Sequence, residues 1–157
     1  MTDVAIPPGR VRDIDGRDPE RTPMQWDATA NAGFSTAEPW LPLPATYRER
    51  NVAAQREDPA SLFSLYRRLI RLRKECAALR RGSYRTLPAP RGVYAYERES
   101  DGERLIVALN FTNVKRQVSL GAGESQVRFS TDHRRDGERV PLGRLGLEPN
   151  EALVVAG

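Results

Sequence analysis

The stretch Gly92-Val93-Tyr94-Ala95-Tyr96-Glu97-Arg98 leads to Asp101-Gly102, and Leu105-Ile106-Val107-Ala108-Leu109-Asn110-Phe111 follows. An Asp-Gly pair between two runs rich in apolar and aromatic residues predicts a β-hairpin, because both turn residues must accept positive φ. Further short strands are predicted at residues 117–120, 126–130, 140–142 and 152–156, with glycine-rich turns between them. From about Ser83 onward the sequence therefore predicts an all-β antiparallel sandwich.

One long amphipathic helix is predicted before this sandwich, over residues 59–78. Asp58 is suited to cap it, Pro59 suits its first position, and Gly82 is suited to end it. Five apolar residues recur at helical spacing and form one face, and two more widen it. The five are Leu62, Leu65, Tyr66, Leu69 and Leu72, and the two are Phe63 and Ile70. A face this wide must pack against something large.

Residues 1–58 form a proline-rich arm that also contains both tryptophans, Trp26 and Trp40. Proline removes amide donors and fixes φ, so long helices and central strands are not expected there. An irregular run of this length is uncommon in a compact domain. We expect its apolar side chains to need a surface that the rest of this chain does not fully supply.

Composition excludes several classes of protein. The 157 residues are 39% hydrophobic and 29% charged, without an apolar run long enough to span a membrane or a signal peptide at the start, so a cytoplasmic protein is expected. One cysteine, Cys76, and one histidine, His133, exclude an internal disulfide and a Cys/His metal cluster, and no metal or cofactor is expected. The net charge of +4 comes from arginines spread among acids, which argues against a nucleic-acid partner.

Several residues invite a functional interpretation beside a simpler one. The acidic stretch at residues 13–20 faintly resembles a calcium loop, but its early glycine and Pro19 favour a polar turn. Tyr94 and Tyr96 share one strand face and suit either a sugar-stacking platform or cross-strand packing. His133 is predicted in an exposed loop, and Cys76 is predicted to be a buried, inert thiol.

No catalytic residue is predicted in this chain. Glycosidic bond cleavage needs two carboxyl groups held about 5–9 Å apart in a pocket. None of the three zones offers such a pair on a framework strand.

A resemblance to a known family rests on five motifs that occur in order. They are Gly16-Arg17-Asp18-Pro19-Glu20-Arg21-Thr22-Pro23-Met24-Gln25-Trp26-Asp27, Asn31-Ala32-Gly33-Phe34-Ser35, Pro39-Trp40-Leu41-Pro42, Asn51-Val52-Ala53-Ala54-Gln55, and Asp58-Pro59-Ala60-Ser61-Leu62 leading into the helix. Together they closely resemble the C-terminal part of α-glucosidases, oligo-1,6-glucosidases and trehalose synthases of the α-amylase superfamily. The resemblance is strong over residues 16–74 and looser in the strand-rich tail.

The resemblance implies a fragment of a retaining glycosidase. A (β/α)₈ barrel takes about 250 residues, more than this chain has. The family's catalytic aspartate nucleophile, glutamate acid and second aspartate would lie upstream, in a barrel that is the expected partner. Residues 1–78 would be the remnant of that barrel's C-terminal end, and residues 79–157 the C-terminal β-sandwich domain.

One residue of the arm is implied to contact substrate in the intact enzyme. Arg21 resembles the family arginine near the sugar-binding subsite, where its planar fork of donors suits a carboxylate and vicinal hydroxyls of an α-glucoside. The alternative is that Arg21 only pins its loop. Other functions also stay open: a carbohydrate-binding module, or a structural domain that complements a separate barrel half or self-associates through its apolar face.

Overall fold

The computed structural model describes residues 18–157. Residues 13–17 of the acidic stretch, the first residues of the Arg21 motif and the N-terminal segment lie outside the described residues. Packing divides the chain within its longest helix, into Met1–Ser64 and Leu65–Gly157. The division of the intact enzyme at residue 78 stays a prediction.

The described part of the first unit, residues 18–64, is mostly irregular, as predicted for the arm. It contains two 3₁₀ turns, Asp18–Arg21 and Ala30–Gly33, and a short helix, α1 (Val52–Glu57), that the sequence analysis missed. Asn51 begins α1, because its side-chain oxygen accepts a hydrogen bond from Ala54 N at 2.9 Å.

The predicted helix over residues 59–78 is wrong at both ends. Asp58 is extended and ends α1, and the next helix, α2 (Leu62–Glu75), begins after Ser61, whose hydroxyl accepts from Ser64 N at 3.2 Å. Helix α2 stops at Cys76, which has an extended backbone, and a further short helix, α3 (Ala77–Arg81), precedes Gly82. The break has a packing reason, since Cys76 and Ala78 are both buried in the cluster beneath these helices.

The rest of the second unit is antiparallel sheet, which confirms the expected strand-rich architecture. A six-stranded sheet has the order β1-β2-β3-β8-β5-β6, and β4 pairs with β7 in a second, two-stranded sheet. The strands are β1 (Arg85–Leu87), β2 (Val93–Ser100), β3 (Glu103–Asn110), β4 (Arg116–Val118), β5 (Glu124–Ser130), β6 (Arg139–Pro141), β7 (Leu145–Leu147) and β8 (Ala152–Ala156). Strands β1 and β7, of three residues each, were not predicted.

The hairpin that opens the sequence analysis is confirmed. Strands β2 and β3 pair from Val93–Asn110 to Ser100–Glu103, and the two residues between them are Asp101 and Gly102, with φ of 54° and 77°. Positive φ at both positions is the geometry of a type I′ turn.

Each face of the six-stranded sheet carries its own apolar cluster. One cluster lies between the two sheets and includes Ile106 and Val155 with Leu145 and Leu147 of β7. The other lies under the helices, where Leu72 and Cys76 pack with Val107, Phe129 and Val154. Central strand β3 is buried on both faces, which explains its continuous apolar run.

Within residues 18–157, no helix is long and apolar enough to cross a membrane.

Candidate functional site

The segment that carries Arg21 is anchored by the start of α1. Val52 N donates to Gln25 O and Ala53 N donates to Trp26 O, both at 2.9 Å. The first amides of a helix have no partner within the helix, so these carbonyls satisfy donors that would otherwise be left unpaired. The motif that contains Gln25 and Trp26 and the motif that begins α1 are about 25 residues apart in the sequence, and their backbones are therefore joined by hydrogen bonds.

Arg21 itself ends the first 3₁₀ turn and is exposed. Pro23, two residues later, is buried and fixes the path of the backbone toward Gln25 and Trp26. The arrangement places Arg21 at the surface, on a segment whose backbone the start of α1 anchors. This geometry is compatible with both of the roles expected for Arg21.

The loop after Trp26 is a tight structure with three consecutive left-handed residues. Asn31, Ala32 and Gly33 have φ of 51°, 55° and 64°, and Ala32 O accepts from Trp26 N at 2.9 Å. The carboxylate of Asp27 accepts from both the backbone amide and the hydroxyl of Thr29, and these hydrogen bonds hold the pKa of Asp27 below its usual value. Left-handed backbone is costly for most residues, so a network of this kind is needed to keep it.

Four large apolar side chains of the first unit are exposed. Met24, Trp26, Phe34 and Trp40 are between 49% and 64% exposed, although backbone hydrogen bonds hold Trp26 and Phe34. Ala32 and Leu41, in contrast, are buried. Exposed indole and phenyl rings on a segment with a hydrogen-bonded backbone are typical of an interface or of the wall of a binding site.

The other sequence candidates are placed elsewhere. His133 is half-buried in a 3₁₀ turn (His133–Arg135), whereas an exposed loop was predicted. Cys76 is buried, as predicted, and burial raises the pKa of its thiol, which makes the thiolate less available. No group of three metal-binding side chains occurs among the residues that the structure describes.

Tyr94 and Tyr96 do share one face, together with Tyr84. The Tyr96 ring lies 5.7 Å from that of Tyr94 and 5.3 Å from that of Tyr84, and the hydroxyls of Tyr84 and Tyr94 are hydrogen-bonded. Tyr96 packs against the apolar cluster under the helices, and burial raises the pKa of its hydroxyl. Tyr84 and Tyr94 stay exposed. One tyrosine of the predicted pair is therefore a packing residue and the other a surface residue.

Sequence reasoning missed two buried carboxylates. Glu97 accepts from Arg85 and Arg104, and Glu151 accepts from Arg135 Nη1 at 2.7 Å, Ser130 Oγ at 2.9 Å and Glu148 N at 2.8 Å. Both residues are less than 9% exposed. Their oxygens are occupied by donors of the protein, which fits structural roles and not proton transfer to a substrate.

Comparisons with known proteins agree with the motifs. Residues 8–82 match the family model for the α-amylase catalytic domain. The chain is 36% identical over 148 residues to the oligo-1,6-glucosidase of Bacillus cereus, which covers 90% of this chain and 26% of that protein. It is 34% identical over 145 residues to the trehalose-6-phosphate hydrolase of Bacillus subtilis, covering 88% of this chain and 25% of that enzyme.

Solved structures give the same result. The trehalulose synthase MutB from Pseudomonas mesoacidophila MX-45 superimposes with a TM-score of 0.76 at 38% identity, over 89% of this chain and 26% of that one. The comparisons relate the chain to the α-amylase superfamily, and the relatives that it matches are named as glycoside hydrolases of the α-glucosidase type and as a trehalulose synthase. The chain spans about a quarter of the length of these relatives.

Proposed function

We propose that this chain is the C-terminal part of a retaining α-glucosidase-type enzyme of carbohydrate metabolism in the cytoplasm, and that it lacks the catalytic carboxylates itself. One observation carries this proposal: residues 8–82 match a catalytic-domain model, although the whole chain covers only about a quarter of the length of its relatives. The buried carboxylates Glu97 and Glu151 support it, because arginines already occupy their oxygens.

In the intact enzyme, catalysis would run through a covalent glycosyl-enzyme intermediate formed on the upstream barrel. Water would then displace the enzyme from the sugar in hydrolysis, and a second sugar would do so in transfer. Arg21 would contribute its fork of donors to hydroxyls of the α-glucoside and to a carboxylate of the barrel. The ordered backbone from Arg21 to Trp26, held by the first amides of α1, supports a fixed position for this side chain.

Two measurements test the proposal. The purified 157-residue chain should release no nitrophenol from 4-nitrophenyl α-glucoside above a blank. In contrast, a chimera in which this chain replaces the matching quarter of the Bacillus cereus oligo-1,6-glucosidase should hydrolyse it. Turnover by the isolated chain, or a folded chimera without turnover, would contradict the proposal.

Arg21→Lys in the chimera tests the assigned role of Arg21. Lysine keeps the charge but loses the planar fork, so kcat/KM should fall by about tenfold or more with an unchanged melting temperature. Arg91→Lys, an exposed change in the second unit, is the matched control. A lower melting temperature with unchanged kcat/KM would instead assign Arg21 to pinning its loop.

A carbohydrate-binding surface is the second candidate function, and the exposed rings of Tyr84 and Tyr94 favour it. Aromatic rings stack on the apolar faces of sugars, and the neighbouring hydroxyl of Thr86, 3.2 Å from Tyr84 Oη, adds a polar partner. The isolated chain should then be retained on an α-glucan column, and Tyr94→Ala should abolish retention while Phe111→Ala does not. Elution of the unmodified chain with the void volume would end this alternative.

A further inference from the structure

A groove with mixed polar and apolar walls lies beside the two-stranded sheet. It has a volume of about 450 Å³, and its lining includes Lys115, Arg116 and Gln117 on the β4 side and Gly146 and Glu148 on the β7 side. A Cβ at Gly146 would meet no atom within 4 Å, so the space beside this residue is open. A groove of this volume holds a small organic molecule.

Positive charge predominates around this groove. Lys115 and Arg116 line it, and Arg144 Nε donates to Oε1 of the lining residue Gln117 at 3.3 Å, which adds a third cation. Glu148 is the one carboxylate among the described residues of the lining, and it pairs with Lys115. Three positive charges and one negative charge leave a net charge of +2. Among the residues that the structure describes, neither arginine forms an ion pair with an acid.

A buried asparagine holds both sides of the groove. Asn110 is 3% exposed, and its Nδ2 donates to Val114 O and to Glu148 O, both at 2.8 Å. Its Oδ1 accepts from the hydroxyl of Thr112 at 2.7 Å, and the oxygen of that hydroxyl accepts from Arg116 Nε at 3.3 Å. The segments that carry the charged side chains are therefore held before a ligand arrives, which lowers the ordering cost of binding.

We propose that this groove binds the phosphate group of a small molecule. A phosphate group carries about two negative charges at pH 7, which the net charge of the groove balances. Arg116 and Arg144 offer planar forks of donors to its oxygens, and Lys115 adds a compact ammonium. The phosphate is either the free ion or a group on a small polar molecule such as a sugar. The proposal goes beyond the proposed function and does not rest on it, because the groove lies wholly in the second unit.

Calorimetric titration of the 157-residue chain at low ionic strength tests the site with inorganic phosphate, glucose 6-phosphate and glucose. Both phosphate compounds should bind, more weakly as salt is added, and glucose should bind at least about tenfold more weakly. Tighter binding of glucose 6-phosphate than of inorganic phosphate would support a phosphorylated molecule as the ligand, and equal binding would support the free ion. The absence of saturable binding by either phosphate compound would overturn the proposal.

A double variant, Arg116→Gln/Arg144→Gln, tests the assigned residues and should bind glucose 6-phosphate about tenfold or more weakly. The matched control is Arg71→Gln/Arg80→Gln, which removes the same charge from two exposed arginines on α2 and α3 and should bind as the unmodified chain does. An equal loss in both double variants, or no loss in either, would overturn the proposal.

Lys115→Gln is a second variant, chosen because its side chain is 76% exposed and its replacement should leave the melting temperature unchanged. It should weaken the binding of glucose 6-phosphate about threefold or more, since one of the three cations is lost. Unchanged binding in this variant would overturn the proposal even if the double variant of the two arginines does not fold.

Discussion

Val127 and Phe129 are two residues apart on β5, yet they lie on opposite faces of the six-stranded sheet. Val127 pairs with Val155 and packs between the two sheets, whereas Phe129 pairs with Val154 and packs under the helices. The pairing shifts by one residue between them, which is a β-bulge at Arg128. The bulge supplies the helix-side cluster with its one phenylalanine.

Phe129→Ala should lower the free energy of unfolding by about 3–4 kcal/mol, because a buried ring is lost from a cluster that cannot fully collapse. The loss includes the contact with Arg68, whose guanidinium carbon lies 4.8 Å from the centre of the Phe129 ring. Urea denaturation followed by circular dichroism measures the change. Phe111→Ala is the matched control, and a similar loss there would contradict this account of the bulge.

Glu151→Gln should lower the free energy of unfolding by about 2–3 kcal/mol. The change removes a buried charge that Arg135 neutralises and leaves that guanidinium with a weaker acceptor. Glu148→Gln is the control, because the carboxylate of Glu148 pairs with Lys115 at the exposed surface. Denaturation at pH 7 measures both variants, and equal losses would refute a special role for Glu151.

The stabilising contribution of Glu97 should be lost in acid. Burial by itself raises the pKa of Glu97, but the hydrogen bonds and charges of Arg104 and Arg85 outweigh it and leave the pKa below its usual value. Such a group contributes stability above its unfolded pKa of about 4.3, and the contribution is lost as the pH falls through the lower folded pKa. The unfolding free energy measured from pH 6 to pH 3 should therefore drop less steeply in Glu97→Gln than in the unmodified chain. Parallel curves would show that Glu97 does not contribute.

Gly33→Ala should open the loop that follows Trp26. Gly33 has a φ of 64°, and a Cβ at this position would lie 2.6 Å from Asp27 Oδ2. Hydrogen exchange of the Trp26 and Asp27 amides, which both donate to Ala32 O, should become about tenfold faster or more. In Gly146→Ala, where a Cβ would meet nothing within 4 Å, these two amides should exchange at the original rate.

Local chemistry made the hairpin predictable, whereas the bulge in β5 has no signal in the sequence. Asp101 and Gly102 encode their turn in two adjacent residues, so their sequence suffices. Regular alternation would place Val127 and Phe129 on one face, and only the pairing with β8 shows that it is interrupted at Arg128. The break of the helix at Cys76 likewise depends on the sheet that buries Cys76, and not on a proline or glycine there.

The candidate site was predictable in its motifs and not in its contacts. The order of the motifs indicates the relationship to the α-amylase superfamily, and that relationship implies a role for Arg21. Nothing in the sequence indicates that Gln25 and Trp26 meet the first amides of α1, or that Glu151, which follows a Pro-Asn pair, is buried. Both facts depend on long-range folding of the chain.

Strand β8 is the last strand in the sequence, but it lies in the middle of the six-stranded sheet, between β3 and β5. During synthesis on a ribosome, one edge of β3 and one edge of β5 therefore stay unpaired until residues 152–156 have left the exit tunnel. Open edges of this kind invite pairing with other nascent chains. The yield of folded protein should therefore depend on the translation speed near residues 152–156 and on chaperones that shield strand edges. This dependence should be stronger than the effect of mutations in the early strands.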